Sequence, residues 1–512
     1  MCSLSRSSPS PDWGSVGQGA LAHCSSLRNA DLAQRVLSFL PSGITDKEAP
    51  VTTAINTASL QDVIDANASI VDVLYANPKG SVVRDAVLRQ PTQFVAPEFT
   101  NWRDEQRAWR ETVALYDQSY HMTTTTVRGK DALAFFTATG VNGFSTFKQD
   151  KARHYVCCSP SGHVIGDGIL YWTNPEEIAL VGRAAGHNWL EYQAEIGSWD
   201  IELERDEIFS KNPAGRRDVY RYQVEGPNAA ALLERLNGAA LPESRTFDII
   251  TLTIAGHRVF ALRHTMAGGP GYELWGPWDE GPEVKAALAA AGQEFGLRQV
   301  GSMAYFTTAV ELGWIPRPMP AIFSGEGTRG FREWLPATAE EVGWSLGGSF
   351  YSPNIDDYYF MPADIGYAHL VKFNHDFIGR EALESAVSEP HRSKVTLTWN
   401  TDDLGRLFAS YATAGELPGK YIDLPRATYS TWQYDALKDS QGNTVGVSTY
   451  PCMSWNERAM MTLGVVDAAQ AQVGTELTLV WGEPQGGALS APWLEPHRQM
   501  DIHATVTTVH ED

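Results

Sequence analysis

The chain has 512 residues, 43% hydrophobic and 20% charged, with a formal net charge of −21. That length leaves room for about three domains and rules out a single small module. The acidic balance argues against a nucleic-acid backbone or an anionic lipid surface as partner, since both call for clustered positive charge.

Residues 1–58 carry four basic residues (Arg6, Arg28, Arg35, Lys47) and four acidic ones (Asp12, Asp31, Asp46, Glu48), so the whole negative balance lies downstream. Rich in Ser, Gly and Pro, and without an unbroken apolar run after its basic start, this stretch reads as a poorly ordered extension and not as a secretory signal. Folded protein is expected from Leu60. EQRAWRETVALYDQS and PNAAALLERLN have helical periodicity, while MTTTTVRG, IALVGR, RYQVEG and TLTIAGHRVFALRH read as strands. Strands mixed with amphipathic helices predict an α+β region over residues 59–390. From residue 391 to 512 the text turns to strands, KVTLTWN, TVGVSTYP, TELTLVWG and DIHATVTTVH, which predicts a small β-barrel or sandwich.

Five Cys, at 2, 24, 157, 158 and 452, lack CxxC spacing, which speaks against a disulfide framework or a zinc site. Cys157 and Cys158 are expected to be buried and inert. No run approaches the roughly 18 apolar residues of a membrane span, and a cytoplasmic compartment is expected. Gly325-Glu326-Gly327-Thr328-Arg329-Gly330 matches GxGxxG, but it follows a Pro-rich segment instead of a strand, so a dinucleotide site is not supported. The sixteen Trp, nineteen Tyr and nineteen Phe are read first as core and second as walls for flat ligands.

A series of short blocks is more specific. They are Asp117-Gln118-Ser119 with His121-Met122, Val127-Arg128-Gly129-Lys130-Asp131-Ala132, and Gly162-His163-Val164-Ile165-Gly166-Asp167-Gly168. Further on come Gln223-Val224-Glu225-Gly226-Pro227, Gly271-Tyr272-Glu273-Leu274-Trp275 and Phe377-Ile378-Gly379-Arg380-Glu381-Ala382-Leu383. In this order they resemble the folate-dependent aminomethyltransferase superfamily, from about Asn67 to the C-terminus. VAPEFTNWRDEQ, GDGILYW, RHTMAGGPGYELWGP, GSMAY, ELGWIPRPMPAI and VKFNHDFIGREAL are similar to one branch, the bacterial tetrahydrofolate-dependent aryl O-demethylases acting on vanillate, syringate or 3-O-methylgallate. The ARDxLRxExG helix of the parent transferases is here Ala304-Tyr305-Phe306-Thr307-Thr308-Ala309-Val310-Glu311-Leu312-Gly313, without either Arg, and their paired aspartates are Gly166-Asp167. Glycine cleavage is therefore not expected.

The resemblance implies a three-domain aminomethyltransferase-like ring, two α+β folate-binding subdomains plus the C-terminal barrel, with tetrahydrofolate as methyl acceptor and a methoxylated aromatic acid as donor. Breaking an aryl ether leaves a phenoxide, a poor leaving group, so an acid near the ether oxygen is expected to help by protonating or hydrogen-bonding it. Tyr305 matches the family tyrosine at the methoxy group, and His121 a histidine beside it. Glu273 matches the glutamate that grips the pterin edge. Gln118, Asp167 and Trp314 are further candidates for the cofactor. Arg183 is the candidate for the substrate carboxylate, through the fork that Arg offers and Lys does not. Trp189 is a second candidate wall. No Tyr stands before APEF where relatives carry one, so the LRQPTQF loop is expected to shape the ring pocket. The alternatives are another methyl donor in the same fold, or a non-catalytic folate-binding regulator.

Overall fold

The computed structural model describes residues 58–77, 94–388, 391–488 and 491–507, all within one compact unit, Ile55–Asp512. The extension expected over residues 1–58 lies outside the described residues except for Ala58.

Two sheets frame the centre of this unit. The first has six strands in the order Leu297–Val300, Val113–Asp117, Val219–Glu225, Gly271–Pro277, His257–Arg263 and Ile249–Ile254. Only its edge pair is parallel. The helices Ala229–Asn237 and Gly281–Gly292 cover one face through Leu232, Leu233, Val284 and Leu288. The second sheet has five antiparallel strands: Lys151–Cys158, Val164–Asn174, Glu177–Gly182, Thr123–Arg128 and Glu202–Asp206. It packs on the helices Ala132–Thr139 and Ala184–Ile196. The sheets meet through Ala152, Tyr171 and Val181 of one and Ile249, Leu262 and Trp275 of the other, with the ion pair Lys151–Asp248 beside them.

The strand-rich tail forms a closed six-stranded barrel, in the order Arg392–Trp399, Ala459–Asp467, Thr444–Ser454, Asp435–Lys438, Glu476–Trp481 and Met500–Thr507. Closure leaves no free sheet edge. Its outer residues Val447, Cys452, Met461 and Leu463 belong to the same apolar cluster as the second sheet and its helices.

The long helix expected from EQRAWRETVALYDQS is two elements. A helix spans Trp102–Glu111, capped by Asn101, and VALYD is a strand of the first sheet. Val113, Ala114, Leu115 and Tyr116 are all buried between neighbouring strands. A short continuous apolar run of this kind has no periodicity that separates strand from helix. Cys157 and Cys158 are buried free thiols, and burial pushes Cys157 up to about 12. The GxGxxG segment is a 3-10 turn, Glu326–Thr328, followed by the helix Arg329–Trp334. Among the described residues no helix is long and apolar enough to cross a membrane.

Candidate active site

The main cavity, about 280 Å³, opens where the two sheets meet. The second sheet supplies His154, Asp167, Gly168, Ile169, Tyr171 and Val181. The first sheet supplies Glu273, and the loop after its strand His257–Arg263 gives His264, Thr265 and Met266. Residues 305–316 close a third side, and Tyr450 reaches in from the barrel. Gln118, His121, Asp167, Arg183, Glu273, Tyr305 and Trp314 all line this cavity, whereas Trp189 is a core residue packed on Phe331.

Tyr305 ends the short helix Ser302–Tyr305. The entry to that helix is held by Glu105, whose carboxylate accepts the N–H groups of Phe99 (2.6 Å), Thr100 (2.9 Å) and Gly301 (2.8 Å). Gly301 is required there because a Cβ would stand 2.1 Å from the carbonyl oxygen of Pro97. The APEFTNWRDE and GSMAY blocks thus form one piece of structure, with Tyr305 as its product. Its hydroxyl lies 2.9 Å from His121 Nε2. Burial raises the Tyr305 pKa above its ordinary value, while burial and the cations Arg183 and Arg317 push His121 down to about 3. Both groups are therefore neutral at working pH. The pair carries one shared hydrogen bond, and when His121 Nε2–H donates it, the tyrosine proton is free to point into the cavity.

Glu273 is buried on the central strand Gly271–Pro277, where its Oε1 accepts from Arg221 Nη1 (2.6 Å) and Tyr171 Oη (3.0 Å). Its Oε2 has no hydrogen-bond partner among the described residues. Arg221 also lies over the Tyr171 ring at 4.9 Å. His264 Nδ1 is a buried polar atom without a partner, and burial holds that imidazole below its ordinary pKa. The loop carrying His264 and Met266 is shaped by Glu225, whose carboxylate accepts from Thr265 Oγ1 and from the N–H groups of Met266, Ala267 and Gly269 at 2.7–3.2 Å.

Asp167 accepts from Tyr367 Oη (2.8 Å) and lies 3.3 Å from His154 Nε2, and Trp314 Nε1 donates to the same Tyr367 oxygen (2.7 Å). Burial works against the Asp167 carboxylate, but these contacts outweigh it and leave its pKa below the ordinary range. Trp314 is thus held in place by a chain of polar contacts. Gln118 is buried, with its amide nitrogen on Met266 Sδ. Arg183 stands where the strand Glu177–Gly182 passes into the helix Ala184–Ile196, and its Nε donates to the carbonyl of Pro316 (3.0 Å). Phe94, directly before VAPEF, stacks on Tyr120 at 5.0 Å. The rest of the LRQPTQF loop lies outside the described residues.

Sequence reasoning assigned no role to Tyr171, Arg221, His264, Arg317 or Tyr450. Tyr171, His264 and Arg317 sit inside matched blocks, whereas Arg221 lies just before QVEGP and meets Glu273 only because their strands are antiparallel neighbours with Arg221 opposite Trp275, a register that the blocks do not encode.

Known proteins share this fold and family. Residues 74–316 match the GCVT N-terminal domain family. The solved glycine cleavage system aminomethyltransferase T from Bartonella henselae shares the fold, with a TM-score of 0.53 over 80% of this chain and 89% of that one, at 18% identity. The fold is thus that of the aminomethyltransferase structure. The syringate O-demethylase of Sphingobium sp. is 43% identical over 88% of this chain and 95% of its own length. The sesamin methylene transferase of Sinomonas sp. is 31% identical, covering 70% of this chain and 79% of that protein. The chain belongs to the O-demethylase branch of the GCVT superfamily.

Proposed function

We propose that the protein moves the methyl group of a methoxylated aromatic acid, of the vanillate or syringate kind, to tetrahydrofolate, giving 5-methyltetrahydrofolate and a phenol. The observation that carries this reading is the neutral Tyr305–His121 pair on the wall of a cavity that also holds the free oxygen of Glu273. The 43% identity to a syringate O-demethylase supports the same reaction.

The donor set suits a reduced pterin. Glu273 Oε2 offers an acceptor to its N–H edge, His264 Nδ1 and Gln118 add polar contacts, and Trp314 and Met266 supply flat apolar surface. Tetrahydrofolate supplies the nitrogen lone pair that takes the methyl group. The protein's part is to hold the arene with its ether oxygen at Tyr305 Oη, donate the proton as charge develops there, and steady the resulting tyrosinate with His121. Arg183 takes the arene carboxylate. Asp167 acts on the cofactor side by fixing Tyr367 and hence Trp314. We place the reaction in the cytoplasm, where the free thiols Cys157, Cys158 and Cys452 stay reduced.

Purified protein incubated with tetrahydrofolate and vanillate, syringate or 3-O-methylgallate should form 5-methyltetrahydrofolate with at least one of them. Folate binding without methyl transfer from any of them would replace this reading with a regulator.

A further inference from the structure

Beside the main cavity is a smaller one of about 50 Å³, and His121, Gly182, Arg183 and Phe306 border both. Its polar lining includes a second guanidinium, Arg317, two residues beyond Ile315 in the ELGWIPRPMP segment. Among the described residues, neither Arg183 nor Arg317 has a carboxylate within ion-pairing distance, although the chain carries sixty-one Asp and Glu. Glu340 also lines this annex, but Lys211 Nζ sits 2.7 Å from its carboxylate. Burial and the nearby Arg183 drive Arg317 down to about 9. Two neighbouring cations with no carboxylate in ion-pairing distance, and with Glu340 acting on Arg317 only from farther off while paired to Lys211, are a costly arrangement that a bound anion relieves. The annex also begins the helix Ala184–Ile196, which has no side-chain cap, so its positive end faces the same space.

We propose that this annex is the anion subsite of the enzyme, in which Arg317 acts with Arg183 to bind a carboxylate attached directly to the aromatic ring. The inference rests on the proposed demethylation for the placing of the ring at Tyr305. A volume of about 50 Å³ holds a few water-sized groups. The small volume favours a carboxylate held directly on the ring over one carried on a carbon arm. With the acid group in the annex and His121 at its border, the ring projects toward Tyr305, so Arg317 helps to decide which ring position meets the acid.

The test measures binding, so that it does not depend on turnover. Protocatechuate, catechol and caffeate are titrated calorimetrically into the full chain without folate. The wild type should bind protocatechuate about 10- to 100-fold more tightly than catechol, the span of one or two charge-assisted hydrogen bonds. Caffeate should bind no better than catechol. Arg317→Met should remove most of the preference for the acid, and Arg317→Lys should restore part of it. Equal weakening of protocatechuate and catechol in Arg317→Met, or no change in either, overturns the inference, and tight caffeate binding overturns the limit on the ring-attached acid. Should Arg317→Met fail to fold, Arg317→Gln gives the same comparison. A protein that shows the Arg317-dependent preference yet forms no 5-methyltetrahydrofolate keeps the anion subsite and loses the proposed reaction. Methyl transfer without that preference does the reverse.

Discussion

At one end of the barrel, Lys420 is completely buried, but its ammonium lies 2.7 Å from Glu483 Oε1, and His497 Nε2 lies 3.0 Å from Glu483 Oε2. Lys420 also stacks over Trp481 at 4.7 Å, and the nearby buried Asp435 accepts from Gln433 and from the N–H of Ser349. Burial works against the Glu483 carboxylate, yet Lys420 and His497 outweigh it and hold it at about 2. The cavity between the sheets treats charge the other way. There and in the adjoining annex, Arg183 and Arg317 have no carboxylate in ion-pairing distance among the described residues, and Glu273 Oε2 and His264 Nδ1 lack a hydrogen-bond partner. Buried polar groups that are fully paired hold a fold together. Single unpaired atoms occur in the barrel as well, Thr396 Oγ1 and Trp399 Nε1 among them, so what distinguishes the cavity is that its incomplete charged and polar groups are gathered around an open space.

The strongest way to break the comparison is at Tyr305. Tyr305→Phe should lower methyl transfer by about 10²- to 10⁴-fold, the usual contribution of a positioned acid, while acid binding measured calorimetrically stays near wild type. Full activity in this variant would remove the proton-donor role. In the barrel, Lys420→Met leaves Glu483 without its ammonium and should cost about 3–5 kcal/mol of unfolding free energy. Urea melts check this, and a neutral result would mean that the barrel network is as dispensable as a surface pair.

A smaller effect concerns pH. His187 is completely buried, with Nδ1 on Thr125 Oγ1 at 2.8 Å, and burial lowers its pKa to about 3. The unfolded chain, with His near 6.5, takes up this proton before the folded one does. The contribution is therefore fully present above about pH 6.5 and is lost as pH falls toward 3, at up to about 1.4 kcal/mol per pH unit. Tm measured across that window should fall on the acid side, and His187→Gln should flatten the slope. The smallest change expected is Glu225→Gln. It weakens the contacts that shape the loop His264–Met266 and should raise the KM for tetrahydrofolate about 10-fold, with kcat less affected, as for one charged hydrogen bond of about 1.5 kcal/mol.

Much of this was legible before any coordinates. The alternating strands of the tail announce a barrel, and its closure is the natural end of such a run. All seven proposed site residues line one cavity, since each lies in a short segment, a turn, a strand or a helix end, that carries its own side chain. What stayed hidden depends on distant pairing. VALYD looks helical until its two neighbouring strands are known, and Arg221 cannot be joined to Glu273 without the register. Arg317 reads as one more basic residue among prolines. Only the pocket shows that it faces Arg183 without a counter-ion.

Tyr450 belongs to the barrel strand Thr444–Ser454, where the pairing shifts between Thr449 and Cys452, and its φ of 61° is a left-handed conformation that a bulky residue adopts at a cost. That irregularity turns the ring out of the barrel and into the cavity between the sheets. Glu311 ties the same region together, accepting from Trp109 (2.8 Å) and Ser454 (2.6 Å). The barrel is accordingly not an exchangeable module: a chimera carrying a relative's barrel would inherit part of that relative's substrate range along with it.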